Sequence, residues 1–388
     1  MKNDRPGIYI HIPFCKRKCH YCDFISYPAK SGSSRICQYI DALLGEIRLR
    51  KEWLSCLPSD CIPDYFHSVY IGGGTPSIVP TPLLGELLGA IRQSFPLTSE
   101  AEITLEVNPG TACQDDFVFL RQMGVNRLSI GIQSFDDHML RHLGRLHSSL
   151  DVYRVVEAAR AGGFENLSFD LMLGLPDQSL EAWRDSLRKA VALCPCHISC
   201  YELTIEPDTV YGDWYREGKL TLPSEDVAID MLQETSRYLV SLGYQHYEIS
   251  NYALPGFKAR HNLIYWQNRW YLGLGVAAYS YWQGRRWGNV ATLERYQDMI
   301  DNHRLPEAEA EILDLRGQAG ETMMLGLRLS EGVALAEFES RFGVSVWSFW
   351  ENEIRDLLDQ DLLELNCGHI RLTNRGLLLA NQVQSAFL

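Results

Sequence analysis

The sequence predicts an α/β fold: a partial barrel of six β/α units, followed by a small winged-helix-like α+β domain. Three observations predict it. Short β-rich runs recur, each followed by an amphipathic helical pattern. The unusual polar residues of these units fall at or just past the ends of the runs. From about residue 316 the pattern changes to helices followed by a hairpin.

The β-rich runs are GIYIHI (7–12), SVYIGGG (68–74), EITLEV (102–107), RLSIGIQ (127–133), NLSFDLMLGLP (166–176) and HISCYELT (197–204). Between them lie amphipathic stretches such as LLGELLGAIRQSF and LDVYRVVEAARAGG. Gly124 and Gly243 stand where a helix ends in a left-handed residue. Strands alternating with helices imply a parallel sheet of βαβ units, and six units make a barrel or an incomplete barrel. The units share a pattern and not residues, so this is no sequence repeat. Cys15, the Gly72–Gly74 run, Glu106, Gln133 and Asp170 all sit at C-terminal strand ends. In a β/α barrel those ends converge on one face, where catalysis occurs.

Residues 1–285 are therefore assigned to the barrel with an aromatic-rich extension. The stretch from Tyr244 to Trp287 holds twelve Tyr, Trp and Phe residues. Residues 286–315 have little apolar periodicity and read as a linker region. Residues 316–388 read as a C-terminal domain of three helical stretches, the hairpin-like LLELNCGHIRLT and a final helix, RGLLLANQV. From Arg316 onward there are 6 Arg and Lys against 10 Asp and Glu, so this domain is not expected to bind DNA.

Bulk properties exclude several classes. A net charge of -13 argues against a nucleic-acid partner, which needs clustered Lys and Arg. No uncharged apolar run approaches the roughly 18 residues of a membrane span. MKNDRPG carries no apolar signal-peptide core, so a cytoplasmic location is expected. Eleven cysteines in that compartment point to metal ligands, buried small hydrophobes or catalytic thiols rather than disulfides.

The stretch YIHIPFCKRKCHYCDF places Cys15, Cys19 and Cys22 in one loop. Thiolates bind iron–sulfur clusters and zinc, and three ligands from one loop suit a cluster with one iron left open. Structural zinc needs a fourth ligand, for which His20 is the neighbouring candidate, although it directly follows Cys19.

The CxxxCxxC loop after a first strand, with GGGTPS on the second, resembles the radical S-adenosylmethionine (SAM) superfamily. LEVNPGT, GVNRLSIGIQSFDD, LGRLH, LMLGLPDQ, YELTIEPDT, YEISNYA and LRLSEGV resemble its coproporphyrinogen dehydrogenase-like group over nearly the whole chain. The resemblance implies a radical SAM barrel in which Cys15, Cys19 and Cys22 bind a 4Fe-4S cluster. It implies that Tyr9 and Tyr21 border cluster and SAM, and that Gly73, Gly74 and Thr75 contact the methionine end of SAM. Glu106, Gln133, Arg145 and Asp170 would meet its polar groups.

Two branches of that group differ in features visible here. The dehydrogenase branch has an extra cysteine where this chain has Phe24, and a longer N-terminal arm than the eight residues before Tyr9. The heme chaperone branch keeps the loop ending in CDF and carries HNxxYW, matched by His261-Asn262-Leu263-Ile264-Tyr265-Trp266. The resemblance thus implies a heme chaperone, with His261, Tyr265 and Trp266 facing heme, and a radical SAM oxidoreductase acting on a tetrapyrrole as the alternative. Tyr279 stands where that branch has a histidine. A heme-acceptor protein, an electron donor such as flavodoxin, ferredoxin or a respiratory-chain component, and a homodimer are the partners so implied.

Overall fold

Each β-rich run folds as a strand of one parallel sheet: β1 (Gly7–Ile12), β2 (Phe66–Gly73), β3 (Leu97–Val107), β4 (Arg127–Gln133), β5 (Leu167–Leu173) and β6 (His197–Glu202). The computed structural model describes residues 5–388. Neighbours pair in parallel from β1 through to β6, as the partial barrel requires. The crossovers run through α1 (Ser34–Ser55), α2 (Thr81–Ser94), α3 (Gln114–Gln122), α4 (Asp137–His142), α5 (Ser149–Ala161) and α6 (Leu180–Ala192). Strands covered on both faces read as nearly continuous apolar runs, and Ile8, Ile10, Ile12, Val69, Ile71, Leu128, Ile130 and Ile132 are all buried.

The sheet is wider than six strands. The aromatic-rich segment and the residues after it add strands at both edges: β7 (Gln245–Glu248) and β8 (Asn251–Ala253) beyond β6, and β9 (Tyr271–Leu274), β10 (Tyr279–Trp282), β11 (Arg285–Asn289) and β12 (Glu307–Ile312) beyond β1. The order is β12-β11-β10-β9-β1-β2-β3-β4-β5-β6-β8-β7. Only β9 of the added strands is parallel to its neighbour in the barrel; the rest pair antiparallel.

The segment 286–315, expected as a linker region, is thus folded into the main body. It contributes most of β11, the helix Leu293–Asp301 and β12, with Trp287, Tyr296 and Ile300 buried. A buried polar network fixes it there. Glu46, on α1, accepts from Gly275 N (2.7 Å), Asn289 Nδ2 (2.8 Å) and Tyr296 OH (2.6 Å). Arg50, one turn on, pairs with Glu307 at 2.6 Å. Removing Arg50 would leave Glu46 without its buried counter-charge (3.6 Å away), at a cost of about 3–5 kcal/mol.

The C-terminal part has its own apolar core, including Phe338, Val346, Trp350, Ile354 and Ile370. Helices Leu315–Gly326, Leu335–Phe342 and Trp347–Asp359 precede the hairpin Leu363–Asn366 with His369–Leu372, and Val333–Ala334 completes a three-stranded sheet. This is the winged-helix arrangement. Among the described residues no helix is long and apolar enough to cross a membrane.

Candidate functional site

Polar residues at alternate positions of β3 to β6 face one cavity of about 450 Å³ inside the barrel. The loop 15–24 closes its upper end. β1 directs the chain into that loop, and Tyr9 and His11 brace it: Tyr9 OH bonds His11 Nδ1 (3.0 Å), and His11 Nε2 donates to the Ile25 carbonyl (3.2 Å). Tyr9 does not line the cavity; its ring stacks on Tyr70 beneath the rim. Tyr21 lines it beside Cys19 and Cys22.

Glycine is required twice at the end of β2. Gly73 holds φ +112°, and a Cβ there would strike the His11 ring at 2.6 Å. A Cβ on Gly74 would meet the Phe14 carbonyl at 2.6 Å. The glycine run therefore seats the second strand against the cysteine loop, besides opening backbone to the cavity. Thr75 Oγ1, at the turn that follows, donates to Cys15 Sγ at 3.4 Å.

All three thiols are half-buried and line the cavity. Burial raises the Cys15 thiol and pushes Cys22 up to about 11, so metal loading would displace protons. Arg145 Nη1 points at Cys19 Sγ (3.8 Å), while its Nη2 donates to Asn108 Oδ1 and to the Gly131 carbonyl, both at 2.6 Å. His20 turns away: its Nδ1 bonds the His142 carbonyl (2.8 Å) and its ring meets Trp214 edge-on. Among the described residues no three His, Cys, Asp or Glu side chains converge on a single ion. A cluster, in which each thiolate takes a different iron, does not ask that of them.

Below the thiols, Glu106 accepts from Tyr70 OH (2.8 Å) and Gly73 N (3.0 Å), and Asp170 accepts from Ser129 Oγ (3.2 Å). Burial is the main cause that pushes Glu106 up to about 7 and Asp170 to about 6. Two buried acceptors at this cavity have no partner among the described residues: Gln133 Oε1, on a residue held at φ 66°, and Asn251 Oδ1. Orphan acceptors beside two carboxylates fit a ligand that brings an ammonium and hydroxyls, as SAM does.

Of the HNxxYW residues, Asn262 lines this cavity, while His261, Tyr265 and Trp266 do not. His261 is 1% exposed beneath Tyr70, with its ring 5.2 Å from that of Tyr70. Its Nδ1 bonds Ser68 Oγ (2.8 Å) and its Nε2 bonds Tyr265 OH (2.9 Å). Neither nitrogen is free to take an iron, contrary to the expectation that this histidine faces heme. Burial pushes its imidazole down to about 3. Gly7 permits the packing, since a Cβ there would meet His261 Nδ1 at 2.9 Å. Trp266 lies in the cleft toward the C-terminal domain, with the Arg328 guanidinium 4.3 Å from its ring. Tyr279 is exposed on β10, its ring against Gly288.

Sequence reasoning missed Tyr70, Asn108, Arg127, Ser129, Ser199, Tyr201 and Asn251 at this cavity. For Arg127 and Ser129 the signal was present as polar residues two apart in the otherwise apolar strand that ends at Gln133.

Residues 9–190 match the model of the radical SAM superfamily, and residues 313–379 that of the HemN C-terminal domain. Heme chaperone HemW of Bacillus subtilis is 36% identical over 98% of both chains, and that of Escherichia coli is 35% identical over 98% of both. The chain belongs to the HemW family. Another relative, the mouse mitochondrial radical S-adenosyl methionine domain-containing protein 1, is 33% identical over 96% of this chain and 85% of its own. Among solved structures, coproporphyrinogen III oxidase (HemN) from Escherichia coli superposes with a TM-score of 0.83 over 99% of this chain and 90% of that one. At 24% identity that likeness shows the fold alone. Membership of the radical SAM superfamily implies a 4Fe-4S cluster and SAM as cofactors.

Proposed function

We propose that this chain is a cytoplasmic heme chaperone that binds heme and passes it to an acceptor protein. In this reading Cys15, Cys19 and Cys22 hold a 4Fe-4S cluster, and the cavity below it takes SAM. The observation that carries it is the likeness to HemW relatives over 98% of both chains. Phe24 agrees with it: a phenyl ring, exposed at the cavity mouth, occupies the place of the dehydrogenase branch's extra thiol.

The cluster, when bound, would supply an open, redox-active iron for the amino and carboxylate groups of SAM's methionine end. This chain's residues do the rest. Gly73, Gly74 and Thr75 bring backbone up to that end, and Glu106 offers a carboxylate to its ammonium. Gln133 Oε1 and Asp170 accept from hydroxyls, and Arg145 sets its charge against Cys19. Heme contact is assigned to neither His261 nor Tyr265, whose polar atoms are spent on each other and on Ser68. Trp266 keeps an unpartnered buried Nε1, and Asn262 of the same motif lines the SAM cavity.

Anaerobically reconstituted protein tests the reading. Titration with hemin should give a saturable Soret band, and incubation with coproporphyrinogen III, SAM and a reductant should give no protoporphyrinogen IX. Turnover of the porphyrinogen would overturn the chaperone reading in favour of an oxidoreductase.

A further inference from the structure

Arg127 opens β4, is 2% exposed and lines the same cavity. Among the described residues its guanidinium makes no hydrogen bond and no ion pair, and its buried Nε has no partner. A buried cation without a hydrogen-bonded partner is strongly unfavourable unless something in its field repays it.

Two matching struts flank it. His261 joins Ser68 to Tyr265, and His197 joins Ser168 Oγ (2.8 Å) to Tyr247 OH (2.8 Å) in the same way. Both imidazoles are held neutral, by burial first and by the Arg127 charge second. Glu102, on β3, is committed to the backbone N–H groups of Arg260 and His261, both at 3.0 Å. Arg145, on the far wall, is tied to Asn108, Gly131 and Cys19. The charges left facing Arg127 across the cavity are Glu106, bonded by Tyr70, and Asp170, bonded by Ser129. Its field favours the ionised form of both.

Charge counting decides what this set is for. Two carboxylates in one small chamber repel each other and drive one another toward protonation. One guanidinium offsets one of them, and SAM, with a sulfonium and an ammonium against one carboxylate, brings the second positive charge. Arg145, set against the thiolates, is a further cation of the same lining and acts in the same direction on Asp170.

We infer that Arg127 is a positioning residue of the SAM pocket, an unpaired buried guanidinium that keeps Glu106 and Asp170 ionised as acceptors for a cationic ligand. It acts through those carboxylates and not by touching the ligand. The inference rests on the reading of this cavity as the SAM pocket.

Equilibrium dialysis of labelled SAM against cluster-loaded protein, across a pH series, tests it. Wild-type affinity should fall as pH drops through about 7, because Glu106 and then Asp170 take up protons. Arg127→Met should move that acid limb up by about one pH unit and weaken SAM about 10-fold near neutral pH, with recovery at alkaline pH. Arg127→Lys should keep the neutral affinity but add an alkaline loss, since a buried lysine gives up its proton where arginine does not. A uniform loss in the Met variant with the limb unmoved would overturn the inference, as would a Lys variant with the wild-type alkaline profile. If the Met variant does not fold, the Lys profile decides. Wild-type protein that binds no SAM at any pH would sink the pocket reading and the inference together; the other outcomes leave the pocket standing.

Discussion

Along the upper wall of the barrel, Cys15, Cys19 and Cys22 sit half-buried at the cavity, and Gln133 and Asn251 each keep an orphan acceptor there. At the floor, His261 and His197 spend both ring nitrogens on Ser and Tyr partners. The two regions use residue types that read alike in sequence. The difference is who satisfies them: the floor is satisfied by protein, and the wall is left for a ligand. Substitutions on the wall should therefore cost binding before folding, and substitutions on the floor should cost folding before binding.

The largest effect belongs to the wall. Cys19→Ala should abolish the cluster, with iron per chain near zero after anaerobic reconstitution. Cys19 Sγ receives only a long contact from Arg145, so apo stability should change by no more than about 1 kcal/mol. Unchanged iron content would remove Cys19 from the ligand set and blur the contrast.

The floor should answer in the opposite way. His261→Ala leaves Ser68 Oγ and Tyr265 OH without their shared partner and opens a void, costing about 2–4 kcal/mol in denaturant unfolding. Folded variant should still give the wild-type hemin titration. A variant that loses its Soret band at wild-type stability would restore His261 as a heme ligand and overturn its place in the floor.

These contrasts mark what sequence could carry. The six parallel strands were legible because burial on both faces makes continuous apolar runs, and Glu106 and Asp170 stand out inside them. The cysteine loop was legible from spacing. The edge strands were not: β7 to β12 are three to six residues long, and β9 joins the barrel through β1, far away in sequence. The alternation EAEAEI, read as linker, is the exposed acidic face of an outermost strand. Glu46 looked like one more charged residue of an amphipathic helix, yet it is fully buried and holds the extension in place. HNxxYW was legible as a motif, but spacing cannot say whether an imidazole is free or already spent.

The smallest effect tests the side chain that first separated the two branches. Phe24 is 60% exposed at the cavity mouth, and its backbone N–H faces Cys22. Its ring covers little buried surface, so Phe24→Cys should shift stability by no more than about 0.5 kcal/mol. The backbone contact to Cys22 does not depend on the side chain, so iron per chain should stay at the wild-type value. A thiol there restores one dehydrogenase feature while leaving the rest of the wall as it is, and coproporphyrinogen III should remain unconverted in a SAM- and reductant-dependent assay. Conversion by this single variant would mean that the wall is already built for porphyrinogen chemistry. The phenyl ring would then be the only barrier between the two functions, rather than one sign of a difference spread over the whole chain.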